Sequence, residues 1–314
     1  MDRIALGVDL GGTKIEAVVV QLDPLKELAR LRVPTERELG YEAVLARTAD
    51  TAREAAALAG VDIASVPAGV GMPGSVTQHG LVKNSNTVCL TGRPFREDLA
   101  RQLGRSLAFD NDANCFALAE TELGAARAHR DGVVFGVILG TGVGGGIVIG
   151  GRVWSGRHGI AGEWGHHAVW GAAPDARACY CGQRGCLEAY ASGPAVEAEY
   201  ARRAGKDASL AEIARRRESD ESAREAIESL LDAFGRGLAN VIDVLDPSAV
   251  VLGGGVSNLD LLYTEGLSRV ARYVFNDELT TPLLRNEMGD SAGVLGAALL
   301  GLAAGEPAAR TALS

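Results

Sequence analysis

Residues 4–21, IALGVDLGGTKIEAVVVQ, decide the fold. The apolar run IALGVD suits a buried strand, Gly11 and Gly12 a tight turn, and the β-branched run Ile15 to Gln21 a returning strand. The result is a hairpin turned on glycine, with a polar tip Asp9-Leu10-Gly11-Gly12-Thr13-Lys14. About 130 residues on, VVFGVILG runs into Thr141-Gly142-Val143-Gly144 and returns through GGGIVIGG, the same plan repeated. Two copies of one hairpin imply a duplicated half.

Around the hairpins the chain reads as alternating α and β. Tyr41 to Gly60 is alanine-rich with helical spacing, Pro67 to Gly74 reads as strand then glycine turn, and Pro94 to Leu103 as a helix. SLAFDNDAN gives a short strand ending at Asp110 to Asn114, followed by a helix from about Cys115 to Ala128. Polar side chains where a strand feeds a helix are placed to face a ligand. Arg152 to Gly193 is irregular, and helical spacing then runs from Ala195 to Leu245, entered at Pro194 and charged through ARRRESDESARE. SAVVLGGGVSN reads as a buried strand breaking into three glycines, and Gly293 to Gly305 as an apolar helix that packs back onto a domain.

Composition narrows the class. With 314 residues, 47% of them hydrophobic, the chain can bury cores for two lobes, and a net charge of -9 argues against nucleic acid or an anionic membrane as partner. MDRIALGVDL enters a strand with no signal-peptide pattern, which points to the cytoplasm. The most membrane-like stretch, Gly132 to Gly151, is broken by nine glycines. Of five cysteines, Cys89 and Cys115 read as core residues, while Cys179, Cys181 and Cys186 crowd together.

Three constellations carry chemistry. The glycines of Asp9-Leu10-Gly11-Gly12-Thr13-Lys14 let backbone N–H groups approach a phosphate, with Asp9 to hold Mg²⁺. Neither a Walker loop nor a Rossmann fingerprint is present. Gly140 to Gly146 offers a second phosphate grip, and Gly253-Gly254-Gly255 a bare backbone against which adenine could lie. In Asp110-Asn111-Asp112-Ala113-Asn114 a carboxylate can accept a proton from a sugar hydroxyl; the same run is also a good helix cap, and spacing leaves Asp110 and Asp112 both open. His166 with Cys179, Cys181 and Cys186 matches a tetrahedral Zn²⁺ set, with His167 and His158 as competing histidines. Glu163 and Glu188 flank that set and can accept from sugar hydroxyls, or form a solvated pair.

Together these stretches resemble the ROK family (repressors, open reading frames and sugar kinases) from Gly7 to about Leu300. The marks are DLGGTK, GMPG at Gly71 to Gly74, DNDAN, GTGVGGG, AGEWGH at Ala161 to His166, CYCGQRGCLE at Cys179 to Glu188, and VVLGGGVSN. The resemblance implies an α/β, actin-like ATPase (sugar kinase/Hsp70) fold of two lobes with a cleft between them. It places a small lobe at 1–118, with a C-terminal helix at about 293–305 packing back onto it, and a large lobe at 119–292 with a zinc loop at 160–190. It makes Asp112 the base, and Gly74, Asn86, Asn111, Glu163, His166 and Glu188 the sugar side, with Asn84 an alternative to Asn86. Gly11, Gly12, Thr13, Lys14, Thr141, Gly142, Gly254 and Gly255 would contact ATP, with Asp9 near magnesium. A homodimer is implied too.

GMPGSVTQHGLVKNSN, AGEWGH, CYCGQRGCLE and MGDSAGVLGAA are most similar to bacterial fructokinases that accept mannose, whereas FDNDANCFALAE is equally similar to N-acetylglucosamine kinases. A longer spacer between His166 and Cys179, and Gln78-His79, depart from the pattern on the sugar side. A broad-specificity glucokinase is a further alternative, and the rival from another class is a sugar-responsive repressor; the phosphate-loop strand begins by Ile4, and no basic helix-turn-helix stands before it. A sugar-binding module without catalysis would not need both an ATP loop and Asp112.

Overall fold

The computed structural model describes residues 3–170 and 176–305, and every count below is of those residues. They fall into two compact units. The first runs to Ala119 and takes in Ser155–Ile160 and the chain from Asp290; the second holds Glu120–Trp154 and Ala161–Gly289.

In the first unit, β1 (Arg3–Leu10) and β2 (Lys14–Leu22) form the hairpin, and β3 (Lys26–Pro34) continues the antiparallel ladder. Helix α1 (Tyr41–Leu58) leads to β4 (Ala68–Met72), which pairs parallel to β1. A two-strand hairpin, β5 (Ser75–Val76) and β6 (Val82–Lys83), and helix α2 (Phe95–Leu103) precede β7 (Ala108–Asn111), parallel to β4. Sheet order is β3-β2-β1-β4-β7. β3 gave no clear sequence signal because KELARLRVP interleaves charges with its apolar residues, and Arg30 and Arg32 reach Glu16 of the neighbouring β2.

The helix Ala292–Gly305 lies on β1 and β4 through backbone contact. A Cβ at Gly7 would stand 2.0 Å from the Val294 carbonyl, one at Gly69 2.1 Å from that of Ala297, and one at Gly296 1.8 Å from that of Cys115. These glycines are present because nothing larger fits.

Helix α3 (Asp112–Glu122) starts three residues earlier than its spacing suggests, because the Asn111 side-chain oxygen accepts the Asn114 N–H at 2.7 Å and caps it. In the second unit β8 (Val133–Leu139), β9 (Val143–Ile149) and β10 (Arg152–Val153) repeat the antiparallel ladder. After α4 (Glu188–Ala191), the stretch expected to be helical from 195 to 245 is three helices, α5 (Gly193–Ala204), α6 (Leu210–Arg216) and α7 (Glu221–Leu245). Gly205 ends the first in a left-handed turn, Ser209 and Glu212 form a capping box for the second, and Asp220 caps the third. β11 (Ala249–Gly253), α8 (Glu265–Tyr273) and β12 (Leu283–Arg285) complete the order β10-β9-β8-β11-β12. Both sheets thus share one plan, three antiparallel strands and two parallel additions, which is the duplicated actin-like fold. Each unit has its own apolar core. No described helix is long and apolar enough to cross a membrane.

Candidate active site

The parallel strands of the first unit bring their ends into line. Asp9 pairs in register with Gly71, and Gly71 with Asp110. Side chains at such carboxyl ends face the ligand crevice of α/β sheets. Asp110 is held tightly: Asn114 Nδ2 and Ser155 Oγ each donate to it at 2.6 Å, and the Asn111 N–H at 2.8 Å. Asp112 is the first residue of α3, its carboxylate accepting the Ala113 N–H at 2.9 Å. Burial, with Asp112 nearby, pushes the Asp9 carboxyl up to about 7, partly opposed by Lys14.

The hairpin tip lies beside these acids in the chain. Gly11 N–H donates to the Lys14 carbonyl at 2.9 Å, and Thr35 Oγ1 to the Gly11 carbonyl at 2.7 Å, fixing the turn that carries Gly12 and Thr13. Lys14 Nζ lies 3.3 Å from Glu16, a fully buried carboxylate that also pairs with Arg30 and Arg32. Asn86 and Asn84 occupy different places. The space a Gly12 Cβ would fill lies 3.6 Å from Asn86 Oδ1, so that amide adjoins the Gly11–Gly12 turn. Asn84 has a left-handed backbone, φ 56, and lies against Gly74.

In the second unit, the hairpin glycines divide in role. Gly144, Gly145 and Gly146 lie within β9, paired with β8, so the second turn leaves Gly140 to Gly142 to meet a ligand. Gly145 is small for another reason: Gly162 of AGEWGH crosses it so closely that a Gly162 Cβ would stand 2.3 Å from its carbonyl. Trp164, buried and edge-on to Phe135 at 5.6 Å, donates Nε1–H to the Gly144 carbonyl at 2.9 Å. This contact anchors the Glu163–His166 segment. Glu188 Oε2 accepts the Val143 N–H at 2.8 Å and fills the space beside Gly142, tying this acid to the Thr141–Gly142 turn.

Gly254 sits at φ 83, and a Cβ there would stand 2.4 Å from the Leu139 carbonyl. Beside it, a cavity of about 1110 Å³ is lined by Thr141, Gly193, Pro194, Ser209, Leu210 and Gly255, large enough for a nucleotide. No sequence pattern marks the part of this wall that α5 and α6 supply. Pro194 marks only an ordinary helix entry there.

His166, Cys179, Cys181 and Cys186 converge, their donor atoms all within 4.8 Å of one another, while His158 and His167 stand outside the set. His166 Nδ1 lies 3.6 Å from Cys179 Sγ, and Cys181 Sγ 3.7 Å from Cys186 Sγ. Bonds of about 2.1 and 2.3 Å from one Zn²⁺ at tetrahedral angles give separations of about 3.6 and 3.8 Å, so the set fits that ion. Burial and the neighbouring thiols push Cys186 up to about 12, whereas the Gln183 N–H lowers Cys181. Three thiols this close ionise together only beside a cation.

Asp9, Gly11 to Lys14, Gly74, Asn86, Asn111 and Asp112 therefore belong to the first unit. Thr141, Gly142, Glu163, His166, Glu188, Gly254 and Gly255 belong to the second.

Known proteins match this chain over nearly its whole length. An N-acetyl-D-glucosamine kinase of Pectobacterium atrosepticum is 39% identical over 305 residues, covering 94% of this chain and 98% of that protein. A ROK hexokinase of Thermus thermophilus superposes with a TM-score of 0.82 at 37% identity, over 95% of this chain and 97% of its own. A ROK family glucokinase of Streptomyces griseus, solved with glucose and AMPPNP, gives 0.74 at 30% identity, over 95% and 98%. With the ROK family profile matching residues 5–304, the chain belongs to the ROK family.

Proposed function

We propose that this protein is an ATP-dependent hexose kinase that phosphorylates fructose, with mannose next. The observation that carries the kinase reading is Asp112 at the start of α3, in the electrostatic neighbourhood of Asp9, in a unit whose Gly11–Gly12 turn adjoins Asn86. A sugar hydroxyl oxygen attacks the γ-phosphorus of ATP, the bond from that phosphorus to the bridging oxygen breaks, ADP leaves, and Asp112 takes the hydroxyl proton. Gly12, Thr13, Thr141 and Gly142 hold phosphates, Lys14 offsets their charge, and Gly254 and Gly255 lie against the base. Asn86, Asn111, Glu163, His166 and Glu188 orient the sugar. Asp9 would hold Mg²⁺, which when bound would neutralise phosphate charge. Zn²⁺ on His166, Cys179, Cys181 and Cys186 would be structural, fixing the segment that carries Glu163 and Glu188. We place the protein in the cytoplasm as a homodimer on its resemblance to such kinases.

The acceptor choice rests on GMPGSVTQHGLVKNSN and AGEWGH. A second reading, N-acetylglucosamine, is supported by relatives named for that activity, at 39% identity against 37% for the hexokinase. So small a difference does not separate acceptors. A sugar panel in a coupled ADP-release assay tests both. A kcat/KM for N-acetylglucosamine tenfold above that for fructose, about 1.4 kcal/mol of discrimination, overturns the fructose choice. No ADP release with any hexose overturns the kinase.

A further inference from the structure

Tyr180 stands between two of the zinc-set cysteines, yet its ring is 81% exposed and faces His166 edge-on, with centroids 5.4 Å apart. Its hydroxyl lies 3.2 Å from His166 Nε2. The other ring nitrogen, Nδ1, turns toward Cys179 Sγ and the converging thiols. When Nδ1 gives its lone pair to a metal, Nε2 carries the proton and can only donate, so the Tyr180 oxygen is the acceptor. Glu163 and Glu188 are close enough to act on the phenol electrostatically, which puts Tyr180 among the acids of the sugar side.

We propose that Tyr180 contests the sugar's place at His166, its hydroxyl occupying Nε2 in the free protein and yielding to a sugar hydroxyl on binding. This rests on the reading of His166 as a sugar ligand. An exposed ring at the tip of the Cys179–Gly182 turn has room to swing away, and the contact it gives up is one neutral hydrogen bond. Sugars that reach Nε2 with a well-placed hydroxyl displace it; those that do not must bind beside it. Tyr180 is then a specificity residue rather than a catalytic one.

Tyr180→Phe keeps the ring and removes the contest. With the hexose that ranks first in the panel, KM and the calorimetric Kd should fall about two- to tenfold, the range of one net hydrogen bond. kcat and zinc content should stay at wild-type values, because only the free protein has lost a contact. An unchanged or raised Kd overturns the proposal. ¹⁵N-histidine spectra distinguish the two ways it can fail. A His166 Nε2 signal that moves on sugar addition, with Kd unchanged in the variant, leaves His166 a sugar ligand and removes the contest. A signal that the sugar does not move, in wild type or variant, removes the sugar reading of His166 itself.

Discussion

Asn114 donates its side-chain amide to Asp110 across one turn of α3, at 2.6 Å, and Ser155 takes the other carboxylate oxygen at the same distance. The acid at the end of β7 is thereby committed to holding the start of α3. Asp112→Asn should lower kcat by roughly 10² to 10⁴ while sugar affinity changes little, the usual effect of losing a general base. Asp110→Asn should instead cost about 1–3 kcal/mol of stability, from hydrogen bonds to a charged group. Steady-state kinetics, sugar calorimetry and melting of both variants check this; a folded, inactive Asp110→Asn beside an active Asp112→Asn would reverse the roles.

The Asp9 carboxyl, raised from 3.8 to about 7, sets a pH dependence of defined sign. Below about pH 4 folded and unfolded chains both hold its proton, and its contribution is fully present. As pH rises toward 7 the unfolded chain has released that proton while the folded one retains it, and the contribution is lost. In metal-free buffer the melting temperature of wild type, relative to Asp9→Asn, should therefore decline from pH 5 to pH 8. A difference that grows in favour of wild type over that interval would refute the assignment.

Removing the zinc set should loosen the segment it organises. Cys181→Ser, or prolonged chelation, should release about one zinc per chain, lower the melting temperature and raise KM for sugar more than it lowers kcat, since binding energy at such a site is partly folding energy. Elemental analysis of carefully prepared wild type finding no zinc would dismiss the site.

Gly7→Ala places a methyl where the Val294 carbonyl already lies, 2.0 Å away. Overpacking of this kind typically costs about 1–3 kcal/mol, and here rigid backbone faces rigid backbone, so the upper end is expected. Denaturant melts of Gly7→Ala and Gly296→Ala should both show the loss, whereas Gly104→Ala, with no atom near its Cβ position, tests only the strain of its left-handed turn.

Much of this was legible because glycine marks it. The two hairpins, the repeated sheet plan and the last helix all follow from apolar runs bounded by Gly11-Gly12, Gly140 to Gly146 and Gly253 to Gly255. The four zinc candidates were legible because three cysteines crowd within one short loop. What stayed hidden depends on contacts between distant segments. Glu16 reads as one more strand residue, yet it is fully buried among Lys14, Arg30 and Arg32. Glu120 is fully buried as well, accepting the N–H groups of Glu287 and Met288, a pairing no local spacing announces. Ser155 returns to Asp110 from an irregular stretch without periodicity. Gly144 to Gly146 looked like phosphate glycines because close backbone packing and anion binding demand the same residue.

The helix on which β1 and β4 rest is made of residues 292–305, although those strands lie within the first 72. On the ribosome, the sheet bearing Asp9 is therefore exported long before the segment that covers its glycine face. The second unit, apart from the start of its chain, has all its strands by Arg285 and can close first. The earliest-made sheet is the last to be covered, because the helix that closes over Gly7 and Gly69 is synthesised after every strand of both units.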